Sequence, residues 1–384
     1  MTKLYNERTE NILKAVNREN PAYVPVIGVP NCGALAYSGV TLWDVIDDEA
    51  AYHRVFTKVL EDIYMDGVLA QGIWALPNAP KVLPGIQTQI GPDGMTLQNH
   101  QSALMKPEDY PALIAECDSF ISNTLVARRF PQLFTGDMKD AVKALESVVN
   151  DQLFFFMGNH NGALPQIAAE QYGIPTVLNG WYQIENPLDL IFDYFRGFRG
   201  TITDLRRHPD LIKEALDVLW EQKCEHFNQL DTAFPFCPQY PHIPAYINAK
   251  QFEKFYWPYE KMLIENIYRA GSKAYIQLQG HWLHVIDFFR DVPKDSCILQ
   301  VDDDDAIQVS KAIGDHQIIA AGPKLSQLIL DRKEACIESA KRVIDECAGT
   351  GGFLFCTDKD WLCTNDINQN LIDVYQFAHE YGRY

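Results

Sequence analysis

Amide and imidazole side chains gather where apolar runs of the sequence end, and these residue types can bind and protonate a polar ligand. Gln277 and Gln279 alternate in the run 273–279, and His281 follows them. Strand alternation places both amides on one face. Because a buried amide needs hydrogen-bond partners, the pair predicts a mutual network or a polar ligand. His281 and His284 have no third ligand nearby, so we favour a first helical turn for them over a metal site.

A second imidazole stands between two amides in a polar turn. Asn159, His160 and Asn161 follow the apolar run 153–157. Two interpretations stay open for this segment. It is either a turn held by asparagine side chains or a position for hydrogen bonding and acid–base chemistry.

Three further polar candidates follow apolar runs or lie in loops. The four adjacent carboxylates at 302–305 repel one another, so most of them must face water or cap the next helix, and Asp302 is kept as a site candidate. His242 lies in a loop, where binding residues are common. Cys356 ends the run 352–356 and is either a packed small apolar residue or a ligand or nucleophile.

Aromatic side chains offer flat surfaces close to these polar positions. At helical spacing such residues commonly belong to the core, and the alternative is that they bind a flat, partly apolar ligand. The candidates for ligand binding are Trp181, Tyr182, Tyr246, Tyr256 and Trp282.

Apolar runs and helical stretches alternate along the chain and would position these side chains. The predicted strands are 23–28, 67–71, 153–158, 176–181, 273–279, 297–302, 317–322 and 352–356. The predicted helices include 48–65, 140–150, 208–230, 249–270, 308–314 and 333–348. This repeated order without linkers predicts an α/β fold with a parallel sheet covered by helices.

We expect one (β/α)8 TIM barrel over residues 1–384, with an N-terminal extension and an inserted loop excursion. An open doubly wound sheet fits the same alternation, but no GxGxxG turn follows an early strand. The segment 72–116 is rich in Pro, Gly, Gln and Asn and predicts an insertion or lid. Ligands of such barrels bind at the C-terminal strand ends, where the candidates lie.

Composition narrows the classes of partner and location. The 384 residues carry a formal charge of −18, which disfavours nucleic acid and anionic membrane surfaces as partners. No run of about 18 apolar residues and no export signal is found, so no membrane span is expected. The nine cysteines form no CxxC pair, as is typical of free thiols in a cytoplasmic protein. A homodimer stays open.

Several stretches resemble the uroporphyrinogen decarboxylase superfamily, in particular its corrinoid-dependent methyltransferase branch, which includes the methylcobamide:coenzyme M methyltransferases and the O-demethylase methyltransferases of acetogens. The similarity is diffuse and runs nearly from end to end, and such proteins are single-domain barrels. The matching stretches are VPV at 24–26, NPLD at 186–189, FRGFRG at 195–200, DLRRHP at 204–209, QFEKFYWP at 251–258 and GGFL at 351–354.

The resemblance implies a ligand set for zinc that this chain lacks. Its thiol-directed members carry His-x-Cys-Gly where this chain has Gln277, Leu278, Gln279 and Gly280, together with a late cysteine. Carboxamides do not suit zinc, so we predict no zinc and no metal ligands. The decarboxylases carry an early arginine-rich motif, and the corresponding stretch 28–35 contains no arginine. Decarboxylation is therefore disfavoured.

What the resemblance leaves is methyl transfer from a small methyl ether, with an aryl ether preferred, to the Co(I) of a separate corrinoid protein. The corrinoid (cobalamin) belongs to that partner, because this chain lacks a DxHxxG signature. Donors that would stabilise the leaving phenolate are His160, His242, Gln277, Gln279 and His281. The alternatives are a methyltransferase for a non-aromatic donor or a thiol acceptor, a decarboxylase, and a non-catalytic ligand-binding relative.

Overall fold

The computed structural model describes residues 2–100, 103–178, 185–224 and 233–383. The strands are β1 Ile27–Gly28, β2 Gly67–Val68, β3 Thr88–Ile90, β4 Leu97–Asn99, β5 Phe236–Gln239, β6 Lys273–Leu278, β7 Cys297–Val301, β8 Ile318–Ala321 and β9 Phe353–Phe355.

The helices surround these strands and lie between them in sequence. They are α1 Lys3–Val16, α2 Gly33–Ser38, α3 Leu42–Val45, α4 Glu49–Asp62, α5 Ala79–Val82, α6 Tyr110–Ala115, α7 Cys117–Phe120, α8 Val126–Arg129, α9 Gln132–Thr135, α10 Met138–Asn150, α11 Leu164–Gln171, α12 Pro187–Leu190, α13 Gly197–Arg207, α14 Pro209–Leu219, α15 Ala249–Gln251, α16 Trp257–Arg269, α17 Ala306–Ile313, α18 Leu325–Leu330, α19 Lys333–Cys347 and α20 Gln369–Tyr381. Within the described ranges, no helix is both long and apolar enough to cross a membrane.

Parallel strands follow one another in chain order around the core. A five-stranded sheet has the order β5-β6-β7-β8-β9, and β1 pairs with β2. Parallel bridges join Val26 to Phe355 and Val68 to Thr176. Among the described residues no pairing joins Thr176 to Phe236, so the ring is not shown closed at this junction. The expected α/β fold with a parallel sheet is confirmed, and closure of the barrel stays a prediction.

The predicted strand 153–158 is wrong, because these residues continue a helix. Asp151–Phe156 is a π-helical segment that extends α10 without a break. A short apolar run fits a buried strand and a helical turn equally well by periodicity. Here Leu153 and Phe154 are exposed and Phe155 is buried, which is the pattern of one helical face rather than of a core strand.

The structure adds β5, a strand that sequence reasoning missed. Its segment contains Pro235 and Pro238, and proline normally argues against a strand because it cannot donate a backbone hydrogen bond. In the structure Pro238 pairs with Tyr275 of β6 on one side of β5. Strand β5 matters for the site, because Tyr240 and His242 follow it directly.

The segment 72–116 contains an antiparallel hairpin, β3 with β4, in which Thr88 pairs with Asn99 and Ile90 with Leu97. It also contains α5 and α6. The hydroxyl of Tyr110 in α6 donates to Asp204 Oδ2 of α13 at 3.2 Å, which fixes this part of the segment to the helical layer. Whether the segment acts as a lid stays a prediction.

Candidate active site

A cavity of about 530 Å³ lies at the C-terminal ends of the strands. Residues in the segments that follow β1, β2, β5, β7 and β9 line it, together with the end of β6 and part of the β3–β4 hairpin. The lining residues include Asn31, Trp74, Tyr194, Tyr240, His242, Gln277, Gln279, Asp302, Asp358, Lys359 and Asp360. Strand ends are where this type of fold places its ligands, and the sequence predicted this location.

Gln277 contacts a carboxyl group rather than the neighbouring amide. Its Nε2 donates a hydrogen bond to Asp360 Oδ1 at 3.1 Å. Burial raises the pKa of Asp360 to about 6, although hydrogen bonds from Gln277 and Asn31 act in the opposite direction. Asp360 can therefore bind and release a proton near neutral pH, inside the cavity that it lines.

The turn after Gln279 is fixed by the close approach of the Ala245 side chain to the backbone of Gly280. Gly280 has a φ of +79°, and a Cβ atom at this position would lie 2.6 Å from the Cβ of Ala245. Its backbone N–H donates to Asp302 Oδ2 at 2.9 Å. Only glycine fits this turn without strain, and the turn orients Gln279 toward the cavity.

His242 is the imidazole that lines the cavity, and a carboxylate orients it. His242 Nδ1 and Asp193 Oδ2 are 2.7 Å apart. Burial lowers the pKa of His242, but the hydrogen bond with Asp193 and the charges of Asp193, Asp189 and Glu185 more than offset it, so the pKa lies above its ordinary value. With Nδ1 held by the carboxylate, Nε2 is the atom available for proton transfer.

A buried carboxyl group fixes the backbone of the His242 loop. Asp189 Oδ1 accepts hydrogen bonds from the backbone N–H groups of His242 and Ile243, at 3.0 and 2.9 Å. Its Oδ2 accepts the hydroxyl of Tyr256 at 2.8 Å. Burial and the nearby Asp193 raise the pKa of Asp189 to about 6. Tyr256 is thus fully buried beneath this loop and supports it from below.

Lys359 is a cation at the cavity, and two carboxylates share it. Its Nζ lies 3.0 Å from Asp302 Oδ1 and 3.2 Å from Asp303 Oδ1. Burial lowers the pKa of Lys359, but the two carboxylates raise it by more than burial lowers it, so the amine stays protonated. Asp358 accepts the backbone N–H of Leu325 at 2.8 Å, and burial raises its pKa to about 6.

Aromatic rings form much of the remaining wall. Trp74, Tyr194 and Tyr240 line the cavity. A second, more open cavity of about 550 Å³ shares His242, Gln279, Asp302 and Lys359 with the first. Tyr246 lies there, stacked on Phe192 with ring centroids 6.0 Å apart and with 58% of its surface exposed.

The polar turn at 159–161 lies elsewhere. Asn161 is buried, accepts the hydroxyl of Tyr52 and donates to the carbonyl of Ile73 at 2.9 Å. His160 Nε2 is 2.7 Å from the carbonyl of Ile46. Asn159 donates to Glu49 at 3.0 Å on the surface. These contacts hold the turn against α4 and the chain after α3, and none of its three residues lines the cavity.

Two predicted residues after β6 also point away from the cavity. The side chain of His281 is 72% exposed, and its Nδ1 lies 3.2 Å from Asp304 Oδ1. The ring of Trp282 is fully buried in the core, and its Nε1 donates to the carbonyl of Gln279 at 3.0 Å. Trp181 and Tyr182 lie outside the described residues.

Sequence reasoning missed the acidic segment 358–360 although its position obeyed the rule that found the others. Asp358, Lys359 and Asp360 begin three residues after β9 ends, whereas Asp302 is the first residue after β7. The apolar run continues to Cys356, and Thr357 separates it from these charged residues, so the sequence marks no charged residue at the strand end itself. Tyr240 followed a strand that was not predicted, and Trp74 and Tyr194 reach the cavity from segments that no strand end marks.

The donor set does not fit zinc. Gln277 and Gln279 offer carboxamides, and the amide nitrogen of Gln277 is already bonded to Asp360. Cys356 is 1% exposed, does not line the cavity, and has a pKa that burial raises far above its ordinary value. Within the described ranges no group of three or more His, Cys, Asp or Glu side chains is placed to hold a metal ion.

Comparison with known proteins gives a likeness in fold. Neither the family models nor the curated protein sequences match this chain. Among solved structures, a methyltransferase from Methanosarcina mazei matches with a TM-score of 0.52 and 11% sequence identity, over 97% of this chain and 98% of that chain. The two proteins therefore share their fold over nearly their whole lengths.

Proposed function

We propose that this protein is a methyltransferase that moves a methyl group from a small methyl ether, with an aryl ether preferred, to the Co(I) of a separate corrinoid protein. The observation that carries the proposal is a cavity at the strand ends where two protonatable groups, His242 and Asp360, stand among aromatic walls. The Methanosarcina mazei protein that shares this fold is a methyltransferase, which supports methyl transfer in general.

The size and lining of the cavity suit a small aromatic donor. A volume of about 530 Å³ lies within the usual range of roughly 300–1,000 Å³ for small-molecule sites. Trp74, Tyr194 and Tyr240 provide ring surfaces, which pack against an aryl group in stacked or edge-on geometry. Gln279 provides an amide that can hydrogen-bond a ring substituent.

The chemistry that this chain must supply is assistance to the leaving oxygen. Co(I) on the partner is the nucleophile that bonds the methyl carbon, while the carbon–oxygen bond breaks and its electron pair stays on oxygen. A free phenolate is a moderate leaving group, since the pKa of a phenol is about 10. Protonated His242 Nε2 can transfer its proton to this oxygen, and Asp360, which lines the same cavity, is the alternative acid.

The charges of the cavity favour a donor that carries no carboxylate. Asp302, Asp358 and Asp360 line it, and Lys359 is shared between Asp302 and Asp303. The cations among the described lining residues already have carboxylate partners, since Lys359 is shared in this way and protonated His242 is paired through Nδ1 with Asp193. A methoxybenzoate would therefore be desolvated beside like charges, whereas a neutral methoxyphenol would not.

A second candidate donor follows from the same charges. Aromatic rings beside carboxylates also bind methylated ammonium groups, through cation–π and Coulomb attraction. Transfer from a quaternary ammonium releases a neutral amine, which needs no proton from the enzyme. The two donor classes therefore differ in whether His242 is required.

The proposal is tested by following the absorbance of cobalamin reduced to Co(I) in the presence of the protein and each of several donors. We expect 2-methoxyphenol to consume Co(I) at least tenfold faster than 4-methoxybenzoate. Consumption by tetramethylammonium alone would support the second donor class. Reaction of thiols or porphyrinogens, with no reaction of any methyl donor, would overturn the proposal, and binding of donors without turnover would indicate a non-catalytic relative. Stoichiometric zinc in the purified protein would refute the interpretation of Gln277 and Gln279.

A further inference from the structure

One helical face outside the cavity exposes a continuous apolar stripe. Helix α10 and the π-helical segment after it present five large apolar side chains on one face, spaced four, three, four and four residues apart: Met138, Val142, Leu145, Val149 and Leu153. Each is between 50% and 77% exposed, where a surface helix would ordinarily show polar groups. Three exposed apolar neighbours, Phe134 before this face and Phe154 and Met157 at its end, extend it. The stripe therefore comprises Phe134, Met138, Val142, Leu145, Val149, Leu153, Phe154 and Met157.

The opposite face of this helix is anchored, so the stripe is held in a fixed position. Ala144 and Phe155 are buried against the body of the protein. Asp151 Oδ2 accepts the backbone N–H groups of Asn78 and Ala79 at 2.7 and 2.6 Å, at the start of α5. The helix therefore cannot rotate to bury its apolar face without breaking these contacts.

The exposed apolar area matches what one partner contributes to a stable interface. At roughly 150–200 Å² per side chain, about half exposure of eight side chains leaves on the order of 800 Å² in water. The largest apolar patch of a typical monomer is about 300–600 Å², and a standard interface buries about 800 Å² on each partner. The stripe is thus large enough to be one half of a dimer interface.

We propose that the protein forms a homodimer in which α10 of one subunit packs antiparallel against α10 of the other. The residues on the two flanks of the stripe determine whether the paired helices run parallel or antiparallel. Lys143 and Glu146 are exposed on one flank, which is free, whereas on the other flank Ala144 is buried and Val148 is half-buried.

In an antiparallel pair the two free flanks meet, so Lys143 of each subunit lies opposite Glu146 of its partner. A parallel pair would bring the free flank of one helix against the flank that the partner's own body covers. Both the charges on the free flank and the space beside it therefore favour the antiparallel arrangement of the two helices.

The dimer is tested by sedimentation equilibrium of the full chain. We expect a mass of twice the 43.7 kDa chain. The double variant Leu145→Glu/Val149→Glu should weaken association at least 100-fold, with an unchanged circular dichroism spectrum and melting temperature of the fold. The control Leu330→Glu, at an 81% exposed leucine on α18, should stay dimeric. A monomeric wild-type protein at 50 µM, or a folded double variant that remains dimeric, would overturn the proposal.

Direction is tested by crosslinking in a Cys363→Ser background, since Cys363 is exposed. Leu145→Cys lies near the centre of the stripe and should form a disulfide with itself across the interface. Met138→Cys lies at one end and should not, whereas a mixture of Met138→Cys and Leu153→Cys proteins should crosslink. Efficient self-crosslinking of Met138→Cys would show a parallel pair and refute the antiparallel arrangement.

Discussion

Replacement of His242 by glutamine tests the proposed proton transfer directly. The variant keeps a polar side chain of similar size but has no group that can carry a transferable proton near neutral pH. In the wild-type protein, Asp193 lies 2.7 Å from Nδ1 and raises the pKa of the imidazole. The acid form is therefore populated to a higher pH than in a free histidine.

The magnitude follows from the leaving group. General acid catalysis contributes about 10²–10⁴-fold, and the contribution grows with the basicity of the oxygen that departs. For 2-methoxyphenol we expect His242→Gln to lower kcat about 100- to 1,000-fold with little change in KM. The phenol released from 4-nitroanisole is about three pKa units more acidic, so it depends less on the acid. With a Brønsted coefficient of about 0.5, the loss of kcat expected for this donor is about 30 times smaller than for 2-methoxyphenol.

The assay is Co(I) consumption by both donors over a range of pH. With the wild-type protein, the rate should fall as the pH rises through the raised pKa of His242, because the protonated form is the active one. The variant should lose this limb of the profile. His208→Gln, at the junction of α13 and α14, is the matched control. Equal losses for the two donors, or an unchanged pH profile, would refute the role of His242.

Two further predictions concern buried charges. Asp360→Asn should lower the rate with 2-methoxyphenol at least tenfold and stabilise the fold. Because the pKa of Asp360 is about 6 in the folded protein and about 4 in the unfolded chain, ionisation of Asp360 costs stability progressively between pH 4 and pH 6 and fully above pH 6. Urea denaturation should therefore show a gain of about 2–3 kcal/mol at pH 8 and little at pH 4, and a loss at pH 8 would contradict this. The guanidinium of Arg18 donates hydrogen bonds to Asp295 and to the backbone carbonyls of residues 314, 317 and 350. Arg18→Met should therefore lower the free energy of unfolding by about 2–4 kcal/mol in the same measurement, whereas the exposed control Arg54→Met should lower it by less than about 0.5 kcal/mol. Equal effects of the two substitutions would refute a structural role for Arg18.

Local pattern predicted the parts of the site that depend on one strand at a time. Alternation along β6 placed Gln277 and Gln279 at the cavity, and both line it. The carboxylate after β7 could be predicted from the sequence equally well, because Asp302 follows an apolar run that is buried throughout. These placements have the same cause, because a buried parallel strand has a clear apolar signal and a defined end.

The remaining parts depend on long-range packing, which the local sequence does not encode. His160 follows an apolar run like the others, but that run is helical, so the imidazole contacts the carbonyl of Ile46 instead of the cavity. His242 was named as a loop residue, yet its partner Asp193 lies 49 residues earlier and only the fold brings the two together. Trp74 enters the cavity from the chain that leads to α5, and no periodicity marks it.

The ring of Trp74 joins two regions that otherwise lie apart. It forms one wall of the cavity, and it meets Phe156, between Phe154 and Met157 at the end of the exposed stripe, edge-on with centroids 5.9 Å apart. Thermodynamic reciprocity then applies: if pairing of two chains stabilises this indole, occupancy of the cavity must strengthen pairing by the same factor. Apparent donor affinity would accordingly depend on protein concentration, and dilution below the dissociation constant of the pair would weaken it.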